Sequence, residues 1–441
     1  MSMPLLPTSV VGSYSIPGWL ERVKSDFLQR RMSRHDLDEI HDVAVKAAIK
    51  DQEVAGVDIV SDGELRRDNM IDYFAMRLPG VQIDHASKRF YYDFYESVIR
   101  AKMPTASLGL VEDFRFLRRF TERQPKVSVT GPHSLVKRIR NEYYPSEEAF
   151  ALDIARVMNL ELRELVRAGA THLQIDEPYY SGFPEDLPWG INAINALVDG
   201  VEARTSLHIC YGNRYGKPSW EGSYRYLFPA INAARVQQLT LEFGRRGEDD
   251  VRLFKEFDPP FALGLGVIDV KTHDVESPAI VAERIRKALE SFRPAANRME
   301  LLNHEGVIIY NDTYNANPDS MISALRTLAS ARVPGKKIAV LGDMKELGEH
   351  GKEEHARVGR EAVQLGIDYV LTYGELARSI HEVASVQYAF HYDQKNMLAE
   401  YLAELIAPGD AVLVKGSRGM KMEDIVTFLE ERLRSAVVPL V

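Results

Sequence analysis

The sequence has only one cysteine, Cys210, among 441 residues, so no disulfide can form within the chain. A protein without disulfides fits a reducing cytosol. No apolar run approaches the roughly 18 residues needed to cross a bilayer. Residues 1–6 also lack the basic start and apolar core of a signal peptide. These absences predict a cytoplasmic protein.

The sequence also lacks any basic run with interleaved aromatic residues, and its net charge is −9. Its hydrophobic content of 45% and charged content of 27% are ordinary for a globular protein, and its length allows two or three domains. Nucleic acids and anionic membranes are poor partners for such a surface. We therefore expect neither a nucleic-acid nor a membrane partner.

Up to about residue 290, short apolar segments alternate with amphipathic ones, a pattern typical of parallel α/β proteins. The pattern predicts strands near residues 9–14, 58–62, 126–131, 172–177, 205–211, 237–243 and 261–269. It predicts helices near residues 35–55, 147–168, 249–257 and 276–290. Gly, Asp and Glu motifs fall at the carboxyl ends of these strands, where parallel barrels keep their chemistry.

Cys210 lies in one of these strands, two residues after His208. Alternate residues of a strand share a face, so the imidazole and the thiol are presented together. The following strand contributes a carboxylate, Glu242. Nitrogen, sulfur and oxygen donors of this kind suit zinc and leave its fourth position open for catalysis. The alternative, preferred for an isolated His-x-Cys pair, is a small buried residue beside a core histidine.

Several motifs in this region occur in the order of a known family. From Ser9 to about Glu290 the chain resembles the catalytic barrel of cobalamin-independent methionine synthase, most closely the short forms that consist of that barrel alone. The motifs are VVGSY at 10–14, SDGELRRD at 61–68, VTGP at 129–132, QIDEP at 174–178, HIC at 208–210, Glu242 and GLGVID at 264–269. The resemblance implies a (β/α)8 TIM-type barrel that transfers a methyl group to the thiol of homocysteine to give methionine.

The resemblance also implies roles for individual residues. Zinc would be held by His208, Cys210 and Glu242, and the methyl donor would be a methyl-folate or a methylated corrinoid protein. The ammonium of homocysteine would be bound by Glu64 and Asp176, and its carboxylate by Gly12 and Ser13. The expected catalytic residues are Asp176, Lys271 and His273. Lys271 replaces a histidine that shuttles protons in the long enzymes, which puts that role in doubt. The alternatives are a solvated turn residue for Glu64, a cap for Asp176 and a solvated loop residue for His273.

One strand–helix unit of that family is not recognisable here. The resemblance implies an eighth strand with a second cysteine as the fourth zinc ligand, whereas this sequence has only Cys210. We therefore expect residues 1–290 to form an incomplete barrel with seven of eight strands. Its zinc would be bound more weakly, and catalysis would be low or absent.

Residues 291–441 have a different pattern. Strands predicted at 306–311, 337–342, 369–373 and 411–415 alternate with helices, as in a doubly wound Rossmann-like domain. The motifs are RME at 298–300, YNDTYNANPDSM at 310–321, VLGDMKELG at 340–348 and VKGSRG at 414–419. This segment resembles the C-terminal domain of a Mur ligase, the UDP-N-acetylmuramoyl-tripeptide–D-alanyl-D-alanine ligase of peptidoglycan biosynthesis.

The second resemblance implies weak nucleotide or peptide binding. The matching residues are Arg298, Asn311, Asp312, Asn315, Asn317, Lys415, Ser417 and Arg418. The alternative for the Asn/Asp/Pro cluster is simple turn chemistry. ATP-dependent ligases of this kind grip phosphate with a glycine-rich loop ending in Gly-Lys-Ser/Thr. None of the three Gly-Lys pairs checked, at 216, 335 and 351, is followed by Ser or Thr, so we expect no ligase activity.

Three hypotheses follow. The first is a zinc-dependent methyltransferase barrel, incomplete at its last unit and fused to a Mur-ligase-like domain. The second is a cell-wall ligase fragment that binds nucleotide or UDP-muramoyl-peptide, with the barrel as a passenger. The third is an inactive chimera of the two. Zinc content separates the first hypothesis from the others, and binding of ATP or UDP-muramoyl-peptide separates the second.

Overall fold

The computed structural model describes residues 4, 6–213, 216–244, 250–257, 259–272, 274–291, 297–345, 347–384 and 388–435. The chain folds into two compact units, Met1–Phe292 and Arg293–Val441. None of the helices in the described ranges combines the length and the apolar character that crossing a membrane requires.

The helices of the first unit are α1 (Gly18–Leu28), α2 (Arg34–Val54), α3 (Met70–Ala75), α4 (Leu110–Arg119), α5 (Pro132–Val136), α6 (Glu147–Arg167), α7 (Leu187–Leu197), α8 (Arg252–Phe257) and α9 (Pro278–Ser291). The two longest begin at serine caps. Ser33 accepts a hydrogen bond from Asp36 N, and Ser146 accepts one from Ala149 N. The predicted helices near 35–55, 147–168 and 276–290 are confirmed.

The strands of the first unit are β1 (Ile59–Val60), β2 (Val81–Asp84), β3 (Glu96–Ile99), β4 (Gln124–Pro125), β5 (Val127–Thr130), β6 (Arg140–Asn141), β7 (His172–Asp176), β8 (Arg204–Ile209), β9 (Gln238–Glu242) and β10 (Ala262–Gly266). Five of them form a parallel sheet in the order β10-β9-β8-β7-β5. β4 directly precedes β5 and pairs in parallel with β1, and Ser9 forms a parallel bridge to Ile59.

Parallel pairing therefore follows chain order from Ser9 to β10: six of the seven predicted positions hold a strand, and the first holds the isolated bridge at Ser9. Within the described residues no pairing joins β10 to the segment around Ser9, so the sheet does not close into a barrel. The prediction of an incomplete TIM-type barrel with seven recognisable strands is confirmed. The predicted excursion between the second and third positions contributes β2 and β3, which pair with β6 in a small separate sheet.

The core of this unit lies where the helices cover the parallel sheet. α6 buries Phe150, Ile154, Met158 and Leu162, four residues apart, in one apolar cluster with Val129 of β5. This spacing aligns them along one helix face. Each side chain of this size stabilises the fold by about 1.5–3 kcal/mol when fully buried. This apolar face therefore packs α6 against the parallel sheet.

The second unit consists of β11 (Glu300–His304), β12 (Val307–Asp312), α10 (Pro318–Ser330), β13 (Lys337–Gly342), α11 (Gly351–Gln364), β14 (Tyr369–Tyr373), α12 (Arg378–Val383), β15 (Tyr388–Tyr392), α13 (Lys395–Leu405), β16 (Ala411–Lys415) and α14 (Glu423–Ser435). Its sheet has the order β11-β12-β16-β13-β14-β15, and every pair is parallel except β11–β12. The predicted Rossmann-like domain is confirmed.

Two strands of this sheet were not predicted. β11 forms a hairpin with β12 through Glu305 and Gly306, both at positive φ (50° and 80°). Such two-residue turns favour glycine, and Gly306 was the available signal. β15 is a half-exposed edge strand with the sequence YAFHY, whose aromatic alternation was the other signal.

Candidate functional site

Polar side chains converge at the carboxyl ends of three neighbouring strands of the first unit. Asp176 ends β7, His208 and Cys210 lie at the end of β8, and Glu242 ends β9. Asp176 and His208 are register partners, and His208 is the register partner of Thr240 on β9. Because the strands are parallel, these ends lie at one edge of the sheet, as the sequence predicted.

His208 is held by a chain of hydrogen bonds that crosses the sheet. Its Nδ1 lies 2.7 Å from Asp176 Oδ1, which also accepts a hydrogen bond of 2.7 Å from Gln174 Nε2. Gln174 Oε1 in turn accepts one of 2.8 Å from the buried ammonium of Lys126. The imidazole is therefore oriented through Nδ1, and it also interacts with Cys210.

The charges along these hydrogen bonds favour a protonated His208 beside an ionised Asp176. Burial alone lowers the pKa of His208, but the interactions with Cys210 and Asp176 outweigh it and raise the pKa to about 10. Burial raises the pKa of Asp176, but its hydrogen bond to His208 leaves that pKa below the usual value. The structure thus brings His208 and Cys210 together, as the alternation on β8 predicted.

Only one carboxylate oxygen of Glu242 has a hydrogen-bond partner among the described residues. Its Oε1 accepts a hydrogen bond from the ammonium of Lys271, whose side chain is 2% exposed. Its Oε2 is buried and has no hydrogen-bond partner within the described ranges. Its backbone N donates to the hydroxyl of Tyr224 at 3.1 Å, and that hydroxyl donates to Ile209 O at 3.1 Å. The ends of β8 and β9 are therefore tied together.

The donor atoms at this edge fit zinc chemically, with an imidazole nitrogen, a thiol sulfur and a carboxylate oxygen that lacks a partner among the described residues. Across the described ranges, no three His, Cys, Asp or Glu side chains lie close enough together to hold a metal ion. The structure therefore pairs His208 with Cys210 and leaves Glu242 bound to Lys271. His273, the other predicted catalytic residue, lies outside the described residues.

Glu64 is buried rather than a solvated turn residue. Its Oε2 lies 3.1 Å from Arg67 Nη1, and its Oε1 accepts a hydrogen bond of 2.7 Å from the hydroxyl of Ser128. Burial raises its pKa, the charge of Arg67 opposes that shift, and the charge of Asp176 adds to it. The two predicted substrate-binding carboxylates are therefore near enough for the charge of Asp176 to affect the pKa of Glu64.

The segment with Gly12 and Ser13 lies beside the loop that carries Glu64. Tyr14 N donates a hydrogen bond of 2.9 Å to Gly63 O. Gly12 has a φ of 79°, a left-handed conformation that favours glycine, and Ser13 is exposed. This backbone hydrogen bond joins the residue that follows Ser13 to the residue that precedes Glu64.

Sequence reasoning missed three residues of this network. Gln174 shares a strand face with Asp176, two positions away, so alternation could have found it. Lys126 precedes β5 and gave no local signal, although burial lowers its pKa to about 8. Arg67 lies three residues after Glu64 and is equally buried, a spacing that the motif itself contained.

In the second unit the predicted residues gather around Asp312, at the end of β12. Asp312 Oδ2 accepts a hydrogen bond of 2.6 Å from the buried ammonium of Lys415, which also donates to Asn315 O at 2.9 Å. Ser417 is buried nearby, and its hydroxyl accepts from Lys345 N at 2.8 Å. The ends of β12 and β16 are joined by these contacts.

Other predicted residues of this unit form a helix cap, a side-chain hydrogen bond or contacts with an aromatic ring. Asn317 caps α10, and Asn311 donates to Asn297 Oδ1 at 2.9 Å, which is the turn chemistry considered as the alternative. The guanidinium carbons of Arg298 and Arg418 lie 4.0 Å and 5.8 Å from the ring centre of Tyr314.

Comparison with known proteins gives two family matches. Residues 6–306 match the family model described as the cobalamin-independent synthase catalytic domain, and residues 297–418 match the one described as the Mur ligase, glutamate ligase domain. The chain is 35% identical over 296 residues to a methionine synthase from Sulfurisphaera tokodaii, a match that covers 66% of this chain and 83% of that protein. A methionine synthase from Saccharolobus solfataricus is 36% identical over 296 residues, with coverages of 66% and 86%.

A solved structure is similar over the same region. It is a B12-independent methionine synthase from Shewanella sp. W3-18-1 in complex with selenomethionine. The sequence identity is 30%, the TM-score is 0.56, and the match covers 65% of this chain and 87% of that one.

Proposed function

The chain belongs, over residues 6–306, to the cobalamin-independent methionine synthase catalytic-domain family, and from that premise we propose that it transfers a methyl group to homocysteine to give methionine. The proposal assigns zinc to His208, Cys210 and Glu242. It is carried by the pairing of His208 with Cys210 at the end of β8, with Asp176 fixing the imidazole through Nδ1. A carboxylate that fixes the second nitrogen of a histidine is typical of zinc sites.

The chemistry that zinc supplies when bound is a lowered pKa of the homocysteine thiol, which makes the thiolate available at neutral pH. Asp176 keeps Nε2 of His208 directed away from the β7 side, and Gln174 holds Asp176 in turn. Asp176 therefore acts both in orienting a ligand and in binding substrate.

The amino-acid part of homocysteine would be held at the opposite side of the same edge. Glu64 and Asp176 are buried carboxylates with a mutual electrostatic influence, so an ammonium group would relieve their repulsion. Gly12 and Ser13 would offer donors to the substrate carboxylate. The Shewanella relative was solved with selenomethionine, an amino acid of this kind, which supports this assignment.

The proposal includes a weakened site. The chain has only one cysteine, so a second thiolate ligand is missing, and a zinc with fewer anionic ligands is held less tightly. We assign residues 1–290 to the methyltransferase barrel without its last strand–helix unit and residues 291–441 to the Mur-ligase-like domain. The methyl donor is a methyl-folate or a methylated corrinoid protein, and we place the protein in the cytoplasm because of its cysteine content.

Metal analysis of the purified protein tests this proposal directly. Zinc content and zinc affinity are measured for the wild type, Cys210→Ser and His208→Gln, with His172→Gln as the matched control. His172 begins β7 and lies at the opposite end of the sheet. We expect the wild type and the control to bind zinc, and the two site variants to lose it.

Activity is then measured with homocysteine and each class of methyl donor. We expect methionine formation to be slow and to require zinc. The assignment is wrong if the wild type binds no zinc, or if Cys210→Ser retains wild-type affinity. Full activity with tightly bound stoichiometric zinc would contradict the proposed weakening of zinc binding, but it would leave the methyltransferase assignment in place.

A second candidate function rests on the other unit. The guanidinium groups of Arg298 and Arg418 both lie near the ring of Tyr314. These groups favour an anionic or stacking ligand such as ATP or UDP-muramoyl-peptide, bound without ligase activity. Calorimetry with each ligand tests it, and Arg298→Ala should abolish any binding. If the protein binds neither these ligands nor zinc, the third hypothesis, an inactive chimera, is the one that remains.

A further inference from the structure

Arg67 is a buried cation beside Glu64, one of the two carboxylates proposed to bind the substrate ammonium. Its Nη1 lies 3.1 Å from Glu64 Oε2, and the two side chains are 6% and 8% exposed. Its Nη2 donates hydrogen bonds to Ser128 O at 2.7 Å and to the Ser128 hydroxyl at 3.3 Å. That hydroxyl donates to Glu64 Oε1 at 2.7 Å. Each oxygen of Glu64 therefore lies near a donor, either Arg67 itself or the hydroxyl that Arg67 contacts.

The side chain and the backbone of Arg67 are both held in place. The guanidinium carbon lies 5.0 Å from the ring centre of Tyr73 and 5.3 Å from that of Phe74, within the range of cation–π attraction. The carbonyl oxygen of Arg67 accepts a hydrogen bond of 3.1 Å from the buried ammonium of Lys24, and its N–H donates to Glu64 O at 2.9 Å. The position of the guanidinium is therefore built into the fold.

Glu64 has a strained backbone. Its φ is 58°, in the left-handed region that side chains other than glycine rarely adopt. Its N–H donates to Asp62 Oδ1 at 2.9 Å, which helps to hold this conformation. Residues kept in such conformations cluster at functional sites. The strain therefore indicates that the placement of this carboxylate beside Arg67 has a role in function.

The charge of Arg67 acts on the protonation of Glu64. Burial raises the pKa of Glu64, the charges of Asp176 and Asp62 add to that shift, and the charge of Arg67 opposes it. Without the guanidinium, burial and the neighbouring carboxylates would favour the protonated form more strongly. A protonated carboxyl has no net charge with which to attract an ammonium group. Arg67 therefore supports the form of Glu64 that binds an amine.

We propose that Arg67 is a positioning residue for substrate selection: with Ser128 it holds Glu64 as an ionised carboxylate, so that the site selects ligands with an α-ammonium group. This inference rests on the proposed function, which assigns the ammonium of homocysteine to Glu64 and Asp176. If the guanidinium instead only repelled the ammonium, its removal would tighten the binding of the amino acid, which is the opposite sign.

Calorimetry on the full chain with two ligands tests the inference. One ligand is L-methionine, the proposed product, and the other is 4-(methylthio)butanoate, the same molecule without its amino group. Neither has a free thiol, so the comparison does not require a thiol bound to zinc. We expect the wild type to prefer L-methionine. Arg67→Met should weaken L-methionine binding by about 10–100-fold, the effect of a hydrogen bond to a charged group, and leave the affinity for the other ligand unchanged.

Three further variants separate this role from a structural one. Arg67→Lys keeps the charge, so it should restore part of the preference. Arg66→Met is the matched control, because the neighbouring Arg66 pairs with Asp42 and Asp113 instead, and it should keep the wild-type preference. Ser128→Ala removes only the hydroxyl and should reduce the preference by a smaller factor than Arg67→Met. Urea unfolding followed by tryptophan fluorescence verifies that each variant folds.

The outcomes distinguish this inference from the proposed function. An unchanged preference in Arg67→Met overturns the inference, as does tighter binding of L-methionine or an equal weakening of both ligands. If Arg67→Met does not fold, an unchanged preference in Ser128→Ala overturns it instead. In each of these cases the wild type still prefers the amino acid, so the proposed function stands. A wild type without that preference overturns both.

Discussion

Asp176 and His208 are register partners on adjacent parallel strands, and Asp176 Oδ1 lies 2.7 Å from His208 Nδ1. The pair links the two halves of the proposed site, because the charge of the carboxylate raises the pKa of Glu64 and the imidazole interacts with Cys210. A change in this one hydrogen bond should therefore affect both metal and substrate.

Replacement of Asp176 by Asn tests this link. The amide keeps the shape of the side chain but loses the charge that fixes the imidazole, so we expect zinc affinity to fall by about tenfold. The KM for homocysteine should also rise, because the ammonium loses one of its two carboxylates. Zinc competition and steady-state kinetics measure the two effects.

Asp186→Asn is the matched control, because Asp186 forms a similar contact of 3.0 Å with Nε2 of the buried His133, a histidine outside the proposed metal ligands. That variant should keep the wild-type zinc affinity. Equal zinc affinity in Asp176→Asn and the wild type would show that the contact does not orient a ligand.

Gly131→Ala should destabilise the first unit. A Cβ at Gly131 would lie 2.1 Å from Oε1 of Glu177. Glu177 is fully buried and accepts hydrogen bonds from His133 N, Ser134 N and the Ser134 hydroxyl, so it cannot move aside without losing partners. We expect a loss of about 1–3 kcal/mol in the free energy of unfolding, measured in urea by tryptophan fluorescence.

Gly18→Ala is the control for that substitution. Gly18 begins α1, and a Cβ there meets no atom within 4 Å. Its free energy of unfolding should equal or exceed that of the wild type, because alanine favours helix more than glycine. A Gly131→Ala protein as stable as this control would contradict the predicted clash.

His41 should make the first unit sensitive to acid. Burial, with smaller contributions from Lys24 and Arg66, lowers its pKa to about 3, below the usual value near 6.5. Between these two pH values the unfolded chain binds more protons at this position than the folded chain. This part of the stability is therefore fully present above pH 6.5 and falls as the pH decreases towards 3.

We expect His41→Gln to reduce the pH dependence of unfolding by about 1 kcal/mol per pH unit near pH 5. Urea unfolding at several pH values between 7 and 4.5 measures it. His35→Gln, on the exposed face of the same helix, should leave the dependence unchanged. The same slope in His41→Gln as in the wild type would count against the buried neutral imidazole.

Lys415→Met should destabilise the second unit alone. The change removes the ammonium that neutralises Asp312 and binds Asn315 O, and an uncompensated buried charge typically costs about 3–5 kcal/mol. All three tryptophans, Trp19, Trp189 and Trp220, lie in the first unit. We therefore expect the transition seen by tryptophan fluorescence to stay unchanged, while circular dichroism detects an earlier loss of structure.

Much of the fold follows from local pattern. The alternation of apolar segments predicts the strands at six of the seven positions and the bridge at Ser9, because strand period and apolar content are properties of a few consecutive residues. β11 is not predicted by the pattern because it depends on its hairpin with β12. β15 is not predicted because it is a half-exposed edge strand. Both depend on their neighbours in space more than on their own composition.

The sequence by itself predicted that His208 and Cys210 come together, because alternation is a local property of extended backbone. It also determined the order of the strands whose carboxyl ends carry Asp176 and Glu242. Only the tertiary structure decided that Lys271 takes one oxygen of Glu242, 29 residues away, and that Lys126 reaches Gln174, 48 residues away. Contacts over such separations depend on strand register and loop path, which no short stretch of sequence specifies.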